Sequence, residues 1–234
     1  MKKQELWTYI YPFLLLVTYP LVGYMIKYLV YGGASIERYS LLNSYHALGL
    51  SFLVIFLACL FLKKWGRPGV LQPPRLELMP FLVTIGAYFL LDWLNQQYWI
   101  FFPHHHTMNE SLLRQESTNP PVLLARVIYL FSICCLGPLQ EELIYRGAFM
   151  GSFFKDSHYG LDIFFSSFWF ALPHVWHSSW SWIDFGFYML GGCVMGGLFR
   201  LTKSLYYTVA FHMAWNTIAS WPEIYNLIYW NFLV

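Results

Sequence analysis

Charge is what this sequence has least of. Of its 234 residues only 11% are Asp, Glu, Lys or Arg, while 58% are hydrophobic; a soluble domain carries about a quarter charged residues. That scarcity excludes an ordinary soluble fold; a formal net charge of +2 says little about partners, and nucleic acid is not the ligand expected of such a chain. Cysteine is scarce too. Cys59, Cys134, Cys135 and Cys193 lie in apolar stretches without CxxC spacing, so they read as small buried hydrophobes rather than disulfides or nucleophiles. HExxH, GxSxG and a GxGD-type aspartate pair are all missing, which removes the usual zinc-helix, serine-turn and aspartate-dyad chemistries. There is no internal repeat and no low-complexity tract, and the one long polar stretch is 103–121.

What the chain has instead is long apolar runs. Segments of about 20 apolar residues bounded by charge or turn residues span a bilayer. Candidates are Trp7–Val30, Leu41–Leu62, Pro80–Phe102, an unusually long Val122–Phe153, Asp162–Trp176, Ile183–Phe199 and Ser204–Trp221, with the tail Ile224–Val234 as an eighth or partial span. The expectation is an all-α, polytopic transmembrane helical bundle of about seven or eight spans, a single membrane domain over 1–234. Lys2 and Lys3 precede the first run, but it is too long for a signal-peptide core and no small-x-small cleavage site follows, so it counts as a span.

Lysine and arginine in short loops stay on the cytoplasmic side. Lys2, Lys3, Lys63, Lys64, Arg67, Arg75, Lys155, Arg200 and Lys203 all fall on one side of the expected topology, and only scattered charges such as Arg38, Arg114 and Glu116 fall on the other. The N-terminus is therefore expected in the cytoplasm. "VWHSSWSW", Val175–Trp182, falls on the outer side, where tryptophan favours the headgroup region.

Against this background "GPLQEELIYRG", Gly137–Gly147, stands out. An ionisable side chain near the bilayer centre costs at least about 2.5–3.5 kcal/mol, so such residues face a bundle interior and mark function. Glu142 and Arg146 are four apart and can pair on one helical face; Glu141 lies about 100° round the helix and points elsewhere. Phe170 and His174 in "FWFALPH", and His212 and Asn216 in "AFHMAWN", are likewise four apart. Counted from the cytoplasmic loops at 1.5 Å per residue, Glu141 and His174 rise roughly 18 Å, His212 roughly 13 Å and Asn216 roughly 19 Å. A carboxylate, two histidines and an amide from three helices thus share a depth. Spacing alone leaves open a catalytic site, a metal site or a structural polar cluster.

These residues resemble a known family. "EELIYR", "FALPH" and "HMAWN" fit the EExxxR, FxxxH and HxxxN motifs of the CAAX protease and bacteriocin-processing (abortive-infection-like) family of intramembrane endopeptidases, in the family's order and over roughly Val122–Ser220. The resemblance implies a catalytic core over 121–220, with 1–120 as variable N-terminal spans. It implies hydrolysis of peptide bonds in membrane-embedded or lipidated peptides: CAAX-type substrates, or leader, pheromone or bacteriocin precursors. Glu141 would be the catalytic glutamate, His174 would help it hold and deprotonate water, and His212 and Asn216 would polarise the scissile carbonyl and stabilise the oxyanion. Glu142, Arg146 and Phe170 would support them.

The family has been read both as metal-independent and as a metalloprotease. In the second case Glu141, His174 and His212 would hold Zn2+ with an open position for water. The first is preferred, with no cofactor required, because an ion held by all three would leave Asn216 as the obvious side-chain oxyanion donor. A non-proteolytic alternative keeps the cluster to act through a partner such as a sensor kinase, or as a bacteriocin-immunity protein. A proton-relay transporter is disfavoured by the missing repeat. A short chain without a soluble domain points to a bacterial cell membrane.

Three lesser features remain. His104–His106 offers a transition-metal site only if its loop is built for one. Asp92 and Asn95 suggest an interhelical hydrogen bond, or a place lining the same cavity. The small residues of Gly191–Gly197 predict close packing of the sixth span against the helices that carry the motifs.

Overall fold

A backbone in hydrocarbon has no water to bond, so an apolar chain of this kind folds as helices. The computed structural model describes residues 10–15, 17–19, 21, 36–66, 69–73, 77–103, 105–111, 122–151, 159–176 and 180–233. Most of the first expected span, and expectations resting on Lys2, Lys3, Arg67, Arg75, His104, Arg114, Glu116 and Lys155, lie outside these residues. The described chain is helical, without a strand. The helices are α1 Ile36–Trp65, α2 Leu78–Phe101, α3 Leu123–Met150, α4 Leu161–Trp176, α5 Trp182–Thr202, α6 Leu205–Ala219 and α7 Trp221–Ile228. A π turn, Tyr229–Leu233, follows α7.

The expected helical bundle is therefore present. The apolar part of α1, Leu41–Trp65, together with α2, α3 and α5, is long and apolar enough to cross a bilayer. α4 and α6 have 16 and 15 residues, about 24 and 22 Å at 1.5 Å per residue, short of a hydrocarbon core of about 30 Å. The eighth-span candidate, Ile224–Val234, falls on α7, which has Pro222 in its first turn and buries none of its residues, and on the π turn after it.

α3 is the central element. All nine residues of Glu142–Met150 are buried, and its Ile144, Tyr145 and Phe149 share a core with Val54 of α1, Leu91 of α2, Phe170 of α4, Met195 and Leu198 of α5 and Phe211 of α6. Polarity is inverted relative to a soluble domain. Glu142, Arg146, Ser166, Ser167, Thr208 and His212 are inside, while Phe52, Phe56, Phe81, Phe89 and Ile100 face outward.

α4 and α5 form a close antiparallel pair. A Cβ on Gly192 would sit 2.9 Å from Ser167 Cα, and one on Gly196 3.2 Å from Ile163 Cγ2, whereas Gly191 and Gly197 face open space. The small-residue expectation thus narrows to Gly192 and Gly196 against α4. Arg200 Nη1 donates to Asp162 Oδ1 at 3.0 Å and closes the other end of the pair, and Ser166 Oγ donates to the Tyr145 carbonyl at 3.2 Å, joining α4 to α3.

Asp92 is met on its own helix, where Gln96 Nε2, one turn along on α2, donates to its Oδ2 at 2.7 Å. Of the histidine run, His105 Nε2 meets Asp184 Oδ1 at 2.5 Å, and Met108 N–H donates to Asp184 Oδ2 at 2.8 Å. The segment 105–111 is docked on α5 by these bonds, with Thr107 fully buried. The four cysteines form no disulfide; Cys134 is buried and the others are half-buried.

Close packing at Gly192 has a measurable consequence. Gly192→Val forces a side chain onto α4 and lowers stability by about 1–3 kcal/mol, whereas Gly191→Ala, in open space, costs less than about 0.5 kcal/mol. Thermal unfolding of the detergent-solubilised variants checks the pair.

Candidate active site

A buried arginine needs a counter-charge and acceptors for its N–H groups. Arg146 is fully buried, and its Nη1 donates to Glu142 Oε1 at 3.0 Å, the i,i+4 pair expected from sequence. Its Nη2 donates to the Gly192 carbonyl of α5 at 2.9 Å. The guanidinium carbon lies 5.0 Å from the Phe170 ring centre, within cation–π range. The bare backbone of Gly192 therefore does two jobs, letting α5 approach α4 and presenting an oxygen to Arg146.

Glu142 has a second partner. His212 Nδ1 lies 3.0 Å from the same Oε1, so α6 is fastened to the α3 ion pair, and the other ring nitrogen, Nε2, lies 3.7 Å from Glu141 Oε2. The two adjacent glutamates have opposite surroundings: the Glu142 side chain is fully buried, whereas that of Glu141 is 16% exposed. The contact to Glu141 that the structure gives is thus from His212, a histidine expected to act on the carbonyl rather than on the glutamate.

His174 is held differently. Pro173 precedes it and has no N–H for the carbonyl of Trp169, which loosens that turn. His174 Nδ1 lies 2.7 Å from the Phe170 carbonyl oxygen. A carbonyl only accepts, so Nδ1 carries a hydrogen, and in a neutral imidazole the lone pair is then on Nε2. The FxxxH spacing acquires a physical meaning: Phe170 fixes His174 through its carbonyl while its ring packs against Arg146, and the His212 ring stands 5.7 Å away, edge-on. The His174 ring also stacks on Tyr188 of α5, centroids 4.2 Å apart and planes 24° from parallel.

Asn216 exposes a consequence of "GP" at 137–138. Within α3 the turn Ser132–Leu136 is a π turn, in which Gly137 N–H bonds to the Ser132 carbonyl five residues back. In that register the Ile133 carbonyl would take its hydrogen from residue 138, and Pro138 has none. Asn216 Nδ2 fills the gap, donating to the Ile133 carbonyl at 3.1 Å. Its amide keeps a second hydrogen. Such π turns inside α-helices often sit at functional sites.

The structure therefore brings Glu141, Glu142, Arg146, Phe170 and His212 into one cluster, with His174 joined to it through Phe170 and Asn216 one turn further along α6. Three participants had no signal in the motif spacing: the Gly192 carbonyl, the Ile133 carbonyl and Tyr188. Among the described residues no three His, Cys, Asp or Glu side chains are arranged to hold a metal ion. The conditional set Glu141, His174 and His212 is not among such groups, although an acceptor on Nδ1, as on both histidines here, is a common way of holding an imidazole whose Nε2 serves as a ligand.

The fold and this cluster define a helical membrane protein with a polar intramembrane site. Residues 123–218, the segment that holds all three motifs, match the family model described as Type II CAAX prenyl endopeptidase Rce1-like. Comparison with curated proteins and with solved structures returned no match.

Two substitutions separate charge from packing. Arg146→Met strands the Glu142 carboxylate and costs about 3–5 kcal/mol, and adding Glu142→Gln recovers part of the loss in thermal unfolding. Asn216→Leu orphans the Ile133 carbonyl and costs about 1–3 kcal/mol. Pro138→Ala in that background supplies an N–H and recovers part of it, as a double-mutant cycle will show.

Proposed function

We propose that this chain is an intramembrane endopeptidase in which Glu141 activates water against a peptide bond of a membrane-embedded or lipidated substrate. The observation that carries the reading is the division between the two glutamates. Glu142 is fixed by Arg146 and His212, while Glu141 keeps partial access and faces the free edge of His212. A general base must be charged and within reach of water; a purely structural pair needs no second, partly exposed acid beside it.

In the reaction, the oxygen of a water molecule adds to the scissile carbonyl carbon while its proton passes to Glu141. The lone-pair nitrogen of His174 helps to hold that water. The carbonyl electron pair moves onto oxygen, where the second amide hydrogen of Asn216 and His212, which must carry a proton on Nε2 as well as on the Nδ1 facing Glu142, stabilise the oxyanion; one such donor is worth about 2.7–4 kcal/mol. Collapse breaks the C–N bond, and the proton on Glu141 goes to the departing nitrogen, giving an acid and an amine. Glu142 and Arg146 keep His212 in place, and Phe170 keeps His174. No step passes through a metal ion.

The substrate is a CAAX-type peptide or a hydrophobic leader, pheromone or bacteriocin precursor. The catalytic core is 121–220, with 1–120 as the variable part of the membrane domain. The N-terminus is cytoplasmic, which opens the site to the side on which prenylated proteins and precursors reside, in a bacterial cell membrane.

A panel of quenched fluorogenic peptides, one CAAX-like and several leader-like, tests this with purified protein. Glu141→Gln lowers kcat by about 10²–10⁴-fold and remains folded; Glu142→Gln chiefly lowers the unfolding temperature. Retained cleavage in Glu141→Gln sinks the role assigned to it. Activity lost to a zinc chelator and restored by zinc replaces the base mechanism with a metal one. Rescue of a knockout phenotype by Glu141→Ala favours the partner-binding alternative.

A further inference from the structure

Tyr188 is absorbed by none of the three motifs, yet among the described residues its ring stacks on His174 more closely than that of Phe170. Its ring lies 4.2 Å from the imidazole centre and 24° from parallel. At the other end its hydroxyl is held from outside the motif helices: Thr107 Oγ1 at 3.1 Å and Asn109 Nδ2 at 3.2 Å, donating. Thr107 is fully buried and its Oγ1 also accepts from Glu110 N–H at 3.1 Å. The segment that holds Tyr188 is itself pinned to α5 through Asp184, which takes His105 and Met108 N–H and caps the helix with Ser181. A rigid chain therefore runs from 105–111 through Tyr188 to the imidazole.

We infer that Tyr188 is a positioning residue for His174, holding the imidazole plane so that Nδ1–H points to the Phe170 carbonyl and Nε2 remains the lone-pair nitrogen. A histidine χ2 torsion is broad and two-fold, so a hydrogen bond at one nitrogen does not by itself stop an imidazole rocking or turning over. A flat partner at van der Waals distance removes the first freedom. A ring held in plane can then keep one nitrogen on the carbonyl. Thr107 and Asn109 hold the hydroxyl of that partner, a secondary hold; the ring face is what keeps the imidazole in plane. The inference rests on the proposed role of His174 in hydrolysis, and two independent readouts keep the two ideas apart.

The test compares wild type, Tyr188→Phe and Tyr188→Leu as full-length protein in detergent. Each is measured for peptide cleavage and, with ¹⁵N-histidine labelling, by two-bond ¹H–¹⁵N correlation spectra that report the His174 tautomer, the signal being assigned by its loss in His174→Gln. Wild type shows a single Nδ1–H form. Tyr188→Leu shows mixed tautomers, and its kcat falls roughly tenfold to a hundredfold while KM moves less than about threefold, the signature of misplaced machinery rather than lost binding. Tyr188→Phe, which keeps the ring, keeps the tautomer and most of kcat. Should Tyr188→Leu fail to fold, Tyr188→Met takes its place. An unchanged His174 spectrum in the leucine variant overturns the positioning role, and so does equal loss of kcat in the phenylalanine and leucine variants. Mixed tautomers with undiminished kcat uphold the positioning role and instead remove His174 from the reaction.

Discussion

The neutralisation of one guanidinium inside the bundle organises this molecule. Arg146 cannot be buried without an anion and carbonyls around it, and each group that meets this need comes from a different place. Glu142 comes from its own helix, the Gly192 oxygen from α5 and the Phe170 ring from α4. His212 of α6 then closes on Glu142. Four helices are thereby tied at one point. The tie also explains why α5 is so tightly pressed on α4, because the carbonyl that Arg146 requires can approach only where no side chain stands between the backbones.

A buried ion pair gives little net stability compared with a well-packed apolar alternative, so its value here lies in geometry. It immobilises one of two consecutive carboxylates and a histidine edge, and the neighbouring carboxylate is then placed by a backbone that has no freedom left. Pre-positioned charge of this kind is what lowers a barrier in a site of low dielectric. The apolar outer faces of α1 and α2 supply the complementary condition, a lipid-facing wall that leaves the polar groups to the interior.

Much of this was legible in the residues. The scarcity of charge declared the membrane, and the Glu142–Arg146 spacing declared their pairing. The glycines of α5 declared a close approach, although only the structure selects Gly192 and Gly196. Other features had no local signature. That His212 grips Glu142 depends on how α6 leans on α3, and the need that Asn216 meets arises only once the turn before Pro138 is seen to follow π rather than α register. The partner shown for Asp92, Gln96, is one turn away on its own helix, a pairing not read from the sequence. The docking of 105–111 was invisible because hydrogen bonds to Asp184 and Tyr188 leave no periodic trace in a polar stretch.

The π turn at Ser132–Leu136 has one more implication. It takes up an extra residue without adding a full helical step, and a single residue in an α-helix is worth about 100° of rotation. A helical wheel drawn through α3 at constant period therefore assigns the residues before Ser132 to a face they do not occupy. The direction in which Arg126 or Tyr129 points must be reckoned separately from that of Glu141. Any alignment of this helix that removes one residue between the two halves would match the right letters to the wrong side of the cylinder.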